Sequence, residues 1–172
     1  MNEADSSICL MKSRYNLLFV CMGNICRSPA GENIFRNLVR KAGLSDQINC
    51  DSAGTIGMHA GNKPDTRMSK TIRRRGYEVI GCARQFGLQD FEIFDLILTM
   101  DEENYQNVIK LTSNEEERAK IRRFTDFCSS HNHEEVPDPY YGRNAGFELV
   151  ADLIEDGAEG LLTHVKKELG LN

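Results

Sequence analysis

Long apolar stretches are absent from this sequence of 172 residues. A helix that crosses a membrane needs roughly 20 consecutive apolar residues, and no run approaches that length. Residues 1–15 mix charged and polar residues with apolar ones, so they lack the uninterrupted apolar core of a secretory signal. We therefore expect a cytoplasmic protein that does not bind membranes.

Positive charge is also in short supply. The chain has 21 Lys and Arg residues against 26 Asp and Glu residues, which gives a net charge of −5. Affinity for nucleic acids comes mainly from cations that neutralise phosphates, so this balance argues against a nucleic-acid-binding protein. An anionic ligand would need a small preorganised site rather than a broad basic face.

The six cysteines include no Cys-x-x-Cys pair, and His131 and His133 are the only histidines close together. Structural zinc sites depend on such spacings, so we expect no metal site. The chain is long enough to bury a core without covalent cross-links, which favours reduced thiols over disulfides.

Several segments have the composition of β-strands. Apolar runs at residues 16–20 and 94–100 are typical of strands buried on both faces of a sheet. Residues 48–52 and 77–80 predict two further strands, and residues 121–127 leave open a short edge strand.

Segments with helical periodicity separate these runs. Helices are predicted after Pro29, from Pro64 to Gly76 and from Asp101 onward, and residues 144–169 predict a long amphipathic helix. The alternation indicates an α/β fold, a three-layer sandwich in which a parallel sheet lies between helices. Such sheets carry their sites at the carboxyl ends of the strands.

The chain shows no repeat, linker or low-complexity segment that would indicate a second domain. We therefore expect residues 15–172 to form a single domain and residues 1–14 to be a flexible N-terminal extension.

The segment after the first predicted strand carries the reactive groups. A cysteine, five residues, an arginine and a serine follow one another in Cys21-Met22-Gly23-Asn24-Ile25-Cys26-Arg27-Ser28-Pro29. A short loop that closes onto a helix N-terminus points several backbone N–H groups inward and binds an anion. Gly23 permits the tight backbone path, and Pro29 suits the first helical turn.

Cys21 would lie at the edge of this anion site, where positive potential stabilises a nucleophilic thiolate. The planar guanidinium of Arg27 can bind two phosphate oxygens at once, and the Ser28 hydroxyl can donate to the sulfur. This set suits attack on phosphorus through a phosphocysteine intermediate. The alternative is that Cys21 is only a buried cysteine at a strand end.

A loop near the C-terminal helix offers a proton donor for the leaving oxygen, which departs poorly as an anion. Two prolines flank Asp138 and stiffen its loop, while Tyr140 and Tyr141 could wall a pocket for an aryl phosphate. The alternative is an ordinary surface turn, in which Asp-Pro sequences are common.

Together these motifs resemble those of the low-molecular-weight protein tyrosine phosphatases. The resemblance extends from about Tyr15 to Val165 and rests on residues 20–29, 51–55, Pro64-Asp65-x-Arg67, 83–85, 100–102 and 138–142. It implies a four-stranded parallel sheet with a phosphate-binding loop (P-loop) after the first strand. It also implies that neither a metal nor an organic cofactor is needed.

The resemblance assigns the catalytic roles to Cys21 as nucleophile, Arg27 as phosphate clamp and Asp138 as general acid and then base. The phosphate-binding loop would comprise Met22, Gly23, Asn24, Ile25, Cys26 and Ser28. Phosphotyrosine-containing proteins or peptides would be the substrates, with inorganic phosphate and other oxyanions as competing ligands.

Further roles follow from the same resemblance. Asn24 would hold the loop through a hydrogen bond to Ser52, and Tyr140 and Tyr141 would line the substrate slot. Cys26 corresponds to a cysteine that pairs with the nucleophile under peroxide in relatives, which would make the enzyme redox-regulated. Alternatively, Cys26 is only a small side chain packed beneath the loop.

Two positions depart from the family pattern. Met58 stands where the slot wall often carries a tryptophan, and Gly81 stands where a histidine often precedes Ala-Arg-Gln. A thioether covers an aromatic ring less rigidly than an indole does. The effect of Met58 on substrate preference therefore stays open, and one support of the loop is missing or differently supplied.

Two other functions remain open. An arsenate reductase would share the thiolate attack, but it needs further cysteines that relay a disulfide, and none follows Cys82 before Cys128. A phosphotyrosine-binding module usually lacks the nucleophile or the acid, whereas both Cys21 and Asp138 are present. The sequence therefore favours the phosphatase.

Overall fold

A parallel sheet lies at the centre of the computed structural model, which describes residues 14–171. The strands are β1 (Tyr15–Cys21), β2 (Ile48–Gly54), β3 (Leu96–Thr99) and β4 (Ile121–Arg123). Their spatial order is β2-β1-β3-β4, and every neighbouring pair is parallel. The predicted four-stranded parallel sheet is therefore confirmed. The predicted extension at residues 1–14 lies outside the described residues apart from Arg14.

Helices cover both faces of this sheet. Their bounds are Arg27–Lys41 for α1, Thr66–Arg74 for α2, Asp90–Ile93 for α3, Glu102–Ile109 for α4, Glu115–Ala119 for α5 and Asn144–Glu168 for α6, with a 3-10 helix at Phe124–Phe127. Side chains of α1, α2 and α6 share one core with one face of the sheet. Side chains of α3 and α4 share a second core with the other face. Within residues 14–171, no helix is both long and apolar enough to cross a membrane.

The central strand β1 supplies side chains to both cores. Leu17 and Phe19 belong to the core beneath α1 and α6, whereas Leu18 and Val20 belong to the core beneath α3 and α4. Alternate residues of a strand point to opposite faces, so an apolar run is the composition that a doubly covered strand requires. The sequence interpretation of this run is confirmed.

The predicted strand at residues 77–80 is wrong. This segment lies beside α1, where the Asn33 side chain acts as its hydrogen-bonding partner: Asn33 Nδ2 donates to the Ile80 carbonyl (3.2 Å) and Ile80 N donates to Asn33 Oδ1 (3.1 Å). Its side chains are exposed or half-buried, and no β-bridge includes these residues. The fourth strand is instead β4, within the ambiguous 121–127 segment.

Two glycines in α6 allow the helix to lie directly on the 3-10 helix. A Cβ added at Gly157 would come within 2.4 Å of the Phe124 ring. A Cβ added at Gly160 would come within 2.0 Å of the Phe127 carbonyl oxygen. Glycine is unfavourable inside a helix, so its presence here follows from this close approach rather than from helix propensity.

We expect Gly160→Ala to destabilise the protein by about 1–3 kcal/mol, because the added methyl group meets backbone rather than a flexible side chain. Urea unfolding measures this change. Gly146→Ala is the matched control in the same helix, since its added Cβ would meet nothing closer than 3.7 Å. That variant should be as stable as the parent or more so, and equal destabilisation by both substitutions would contradict the packing argument.

Candidate active site

The candidate site lies at the carboxyl edge of the sheet, where the chain connections change direction. From β1 the chain passes to β2 on one side, and it later returns to β3 on the other side of β1. This arrangement opens a crevice beyond the carboxyl ends of the two central strands, where parallel sheets place their ligands. Residues 22–26 connect β1 to α1 across this crevice.

The loop owes its shape to Asn24, which has a φ of 55° and is the only non-glycine residue with positive φ within residues 14–171. Its Nδ2 donates to Ser28 Oγ and Ser52 Oγ, both at 2.9 Å. Its Oδ1 accepts from the Arg84 backbone N–H at 2.9 Å. All of these polar atoms lie inside the protein, so the three bonds hold the left-handed conformation in place. The structure thus contains the bond to Ser52 that the resemblance implies.

The Cys21 sulfur lies at the start of the loop, 2.9 Å from Ser28 Oγ. Ser28 Oγ accepts a hydrogen bond from Asn24, and its own hydrogen has two acceptors within reach: the sulfur and, at the longer distance of 3.4 Å, the Ala53 carbonyl. A hydroxyl that donates to sulfur stabilises the thiolate over the thiol. The local bonding therefore suits an ionised nucleophile at this position.

Arg27 is almost fully buried, with 2% of its surface exposed. Its Nη1 donates to Asp101 Oδ2 (2.5 Å) and the Val136 carbonyl (3.1 Å), and its Nη2 donates to Asp138 Oδ2 (3.3 Å). Burial alone would lower the pKa of Arg27, but the neighbouring Cys21 and Asp101 raise it above its ordinary value. The guanidinium is thus a permanent cation held in one orientation.

Asp101 was missed as a site residue by the sequence reasoning, although its place directly after the predicted strand at residues 94–100 was a usable signal. Its Oδ1 accepts from the Asn104 backbone N–H (2.7 Å), so it caps α4, while its Oδ2 holds Arg27. A carboxylate fixed at a helix N-terminus is favoured by the helix dipole. Asp101 therefore orients the arginine without facing the cavity.

Asp138 reaches the site from the loop before α6. The Val136 backbone N–H donates to the Met100 carbonyl (2.8 Å), which ties that loop to the end of β3. The Asp138 side chain remains 38% exposed, and its Oδ1 accepts from the Tyr140 backbone N–H (3.1 Å). A carboxyl group at this position has access both to the cavity and to water.

A cavity of about 100 Å³ lies above the loop. Its lining comprises Cys21, Met22, Gly23, Ile25, Cys26, Arg27, Ile56, Met58, His59, Asp138, Tyr140 and Tyr141. The structure therefore brings together the predicted nucleophile, clamp, acid and slot residues. Asn24 and Ser28 instead support the loop from inside, and Ser52 supports it from β2.

The walls of the slot differ from the sequence prediction in their details. Met58 and Tyr141 line the cavity but are 79% and 89% exposed, so they border its mouth. Ile56 and His59, which the sequence reasoning missed, complete the wall. The centre of the His59 ring lies 6.3 Å from the centre of the Tyr140 ring. A Cβ added at Gly23 would lie 3.0 Å from the His59 ring. No local sequence pattern predicts the contact between His59 and Tyr140.

Beneath the loop, the hydrogen-bonded chain continues to a buried carboxylate. Ser52 Oγ donates to Glu32 Oε2 (2.5 Å), and Arg36 donates to the other oxygen of Glu32. Gly81 also lies near Glu32, because a Cβ added at Gly81 would be 4.0 Å from Glu32 Oε2. Arg36 thus supplies a charged partner to Glu32 from α1, while the Gly81 position supplies none.

Cys26 is the last residue of the loop and lines the cavity, yet only 4% of its surface is exposed. Burial raises the pKa of the Cys26 thiol, and the nearby Asp65 and Cys21 raise it further. Cys26 is therefore held as a neutral thiol beside the anion site. The peroxide-induced disulfide between Cys21 and Cys26 stays a prediction.

A loop that joins the central strand of a parallel sheet to a helix N-terminus, as residues 22–26 do here, is typical of the class of proteins that bind phosphate and related oxyanions. The family described as low molecular weight phosphotyrosine protein phosphatase matches residues 16–171. The chain belongs to this family, as the sequence motifs predicted, and the prediction of a phosphatase is confirmed.

Similar proteins come from distant organisms. A putative low molecular weight protein-tyrosine-phosphatase from Synechocystis is 51% identical over an aligned region that spans 89% of this chain and 98% of the relative. The Homo sapiens low molecular weight phosphotyrosine protein phosphatase is 39% identical, covering 78% and 85%. A crystal structure of a protein tyrosine phosphatase from Entamoeba histolytica matches with a TM-score of 0.85 at 42% identity, covering 91% and 98%.

The contact between Arg36 and Glu32 predicts a pH-dependent stability. Burial raises the pKa of Glu32 above its ordinary value of 4.5, and Arg36 opposes this rise. Without Arg36, the folded state would hold an unpaired buried carboxylate whenever Glu32 is ionised. We expect Arg36→Met to cost about 1–2 kcal/mol at pH 7, and the loss should shrink as the pH falls through the raised pKa of folded Glu32 toward 4.5, because a protonated buried carboxyl no longer needs a charged partner.

Urea unfolding between pH 4.5 and pH 7 measures this difference. Arg40→Met is the matched control, because Arg40 lies one turn further along α1, is exposed and makes no ion pair within the described range. Its effect should be small and independent of pH. A loss for Arg36→Met that stays constant across this pH range would contradict the assignment of Arg36 as the partner of Glu32.

Proposed function

We propose that the protein hydrolyses phosphotyrosine and small aryl phosphate monoesters through a phosphocysteine intermediate. Cys21 is the nucleophile, Arg27 the phosphate clamp, and Asp138 the general acid and then the general base. The observation that carries this proposal is the convergence of the three groups on one cavity, with the guanidinium of Arg27 bonded to Asp138 and buried beside the sulfur.

The free donors of Arg27 support its role as a clamp. Nη1 is committed to Asp101 and to the Val136 carbonyl, whereas Nε and one N–H of Nη2 have no partner within residues 14–171. These two donors lie on the same edge of the guanidinium and match two oxygens of a phosphate. The backbone N–H groups of the loop would hold the remaining charge in the transition state.

In the first step the Cys21 thiolate attacks phosphorus, an S–P bond forms, and the ester P–O bond breaks. Asp138 gives its proton to the leaving phenolate oxygen, so the products of this step are a phenol and a phosphocysteine. In the second step the Asp138 carboxylate takes a proton from water, whose oxygen attacks phosphorus. The S–P bond then breaks, inorganic phosphate forms, and Ser28 stabilises the released thiolate.

The shape of the cavity supports an aryl group on the ester. Beyond the phosphate loop, the wall consists of apolar and aromatic side chains: Ile56, Met58, His59, Tyr140 and Tyr141. A flat ring placed between such side chains is held by dispersion and by ring–ring contacts. Phosphotyrosine in proteins or peptides is therefore the proposed substrate class, and inorganic phosphate and other oxyanions are the proposed competing ligands.

Cys21→Ser tests the nucleophile. We expect this variant to bind inorganic phosphate and to lose turnover of p-nitrophenyl phosphate, because a neutral hydroxyl cannot form the phosphocysteine. Rapid acid quench with a radiolabelled aryl phosphate should trap label on the parent and none on the variant. Cys82→Ser is the matched control, since Cys82 is an exposed cysteine outside the cavity, and it should keep full activity.

Turnover by Cys21→Ser comparable with that of the parent would overturn the proposed nucleophile. A parent that binds phosphotyrosine peptides without hydrolysing them would indicate a binding module instead. Thioredoxin-coupled arsenate turnover in excess of aryl phosphate hydrolysis would indicate a reductase.

Asp138→Asn tests the general acid through the dependence of rate on the leaving group. We expect phenyl phosphate hydrolysis to slow by about 10²–10⁴-fold, and p-nitrophenyl phosphate hydrolysis by far less, because the more basic oxygen needs the donated proton more. Glu134→Gln is the matched control: it removes an exposed carboxylate from the same loop outside the cavity and should change neither rate. Equal slowing of both substrates by Asp138→Asn would contradict the assignment.

A further inference from the structure

One side of the Tyr140 ring is covered by an arginine that the catalytic proposal does not use. The guanidinium carbon of Arg67 lies 5.3 Å from the centre of the Tyr140 ring and 4.8 Å from the centre of the Phe147 ring. Tyr140 lines the cavity and Arg67 does not. Arg67 therefore sits behind the slot wall, between that wall and the first turn of α6.

Arg67 is held in this place by Asp65. Its Nε donates to Asp65 Oδ1 (3.2 Å) and its Nη2 donates to Asp65 Oδ2 (3.0 Å). One edge of the planar guanidinium therefore makes a bidentate contact with the carboxylate. The Asp65 carboxylate also accepts from the backbone N–H groups of Arg67 and Met68 and thereby caps α2. These bonds set the plane of the guanidinium as well as its position.

The same aspartate is tied to the phosphate-binding loop. The Asp65 backbone N–H donates to the Ile25 carbonyl at 2.7 Å. A short series of contacts thus runs from Ile25 through Asp65 and Arg67 to the ring of Tyr140. Each link is a hydrogen bond, an ion pair or a cation–ring contact. The series connects the wall of the slot to the loop that would hold the phosphate.

Tyr140 is half-buried and also packs against the larger core. It lies in a segment without regular secondary structure, and its hydroxyl has no hydrogen-bond partner within residues 14–171. Its ring meets Tyr141 edge-on at 4.9 Å, but Tyr141 is 89% exposed and gives little support. His59 lies further away, at 6.3 Å. Arg67 therefore adds to this packing the one cation that lies over the ring within residues 14–171, and its charge is attracted to the aromatic face.

We propose that Arg67 is a positioning residue that holds the Tyr140 ring at the separation from the phosphate-binding loop that an aryl phosphate requires. Arg67 touches neither the phosphate nor the reacting atoms. It acts through Tyr140 and thereby favours ring-bearing phosphates over phosphates without a ring. This inference rests on the proposed function, because it takes the loop as the phosphate site.

The test compares phenylphosphonate, which is not hydrolysed and carries a phenyl ring in place of one phosphate oxygen, with inorganic phosphate, which has no ring. We expect Arg67→Met to weaken phenylphosphonate binding by about three- to tenfold, which is the range of a partly exposed cation–ring contact, and to leave phosphate binding unchanged. Calorimetry measures both affinities. In turnover, the KM for p-nitrophenyl phosphate should rise by a similar factor while kcat stays near that of the parent.

A double-mutant cycle separates positioning from general support of the fold. In a Tyr140→Ala background, Arg67→Met should have no further effect on phenylphosphonate binding, because the ring through which it acts is gone. Arg74→Met is the matched control: Arg74 also lies on α2 and pairs with Glu148 of α6, but it is remote from the slot. It should leave both affinities unchanged.

Three results would overturn the role of Arg67: parent-like phenylphosphonate binding by Arg67→Met, an equal loss of phosphate binding, or an undiminished effect in the Tyr140→Ala background. Failure of the proposed function gives a different result. A parent that binds both probes but turns over no aryl phosphate would refute the catalytic proposal, and the affinities would still report on Arg67.

Discussion

A single buried cation joins the parts of this site. The guanidinium of Arg27 donates to Asp101 at the end of β3 and to Val136 and Asp138 in the loop before α6, while its own backbone begins α1. A buried charge is costly unless it is paired, so these partners must converge wherever the arginine lies. The arginine therefore assembles three separate loops at one edge of the sheet.

Neutral hydrogen bonds complement this charge on the other side of the loop. Asn24 directs its amide hydrogens to Ser28 and Ser52, and Ser52 passes its own hydrogen to Glu32. The bonds from Asn24 to Ser52 and from Ser52 to Glu32 donate in one direction, from the loop toward Glu32. The Glu32 carboxylate at the end of the series is paired with Arg36.

The sequence predicted features that depend on neighbouring residues better than it predicted contacts between residues far apart in the chain. The strand at residues 16–20 was predictable because burial on both faces requires an apolar run. The segment 77–80 has a similar local composition, yet it packs beside α1 because Asn33 satisfies its backbone. Asp101 had a local signal that went unused, whereas the contacts of His59 and Arg67 with Tyr140 had none. These contacts depend on where α2 and the loop before α6 come to lie.

The sequence by itself determined the candidate loop, because the spacing from Cys21 to Arg27 places a thiol and a guanidinium at the two ends of one short connection between a strand and a helix. It also determined the alternation of strands and helices, since each element carries its own periodicity. The tertiary structure alone decided how distant residues meet: Asp138 with Arg27, Arg67 with Tyr140, and Arg36 in place of a side chain at position 81. Such meetings depend on the packing of helices across the sheet, which no local pattern encodes.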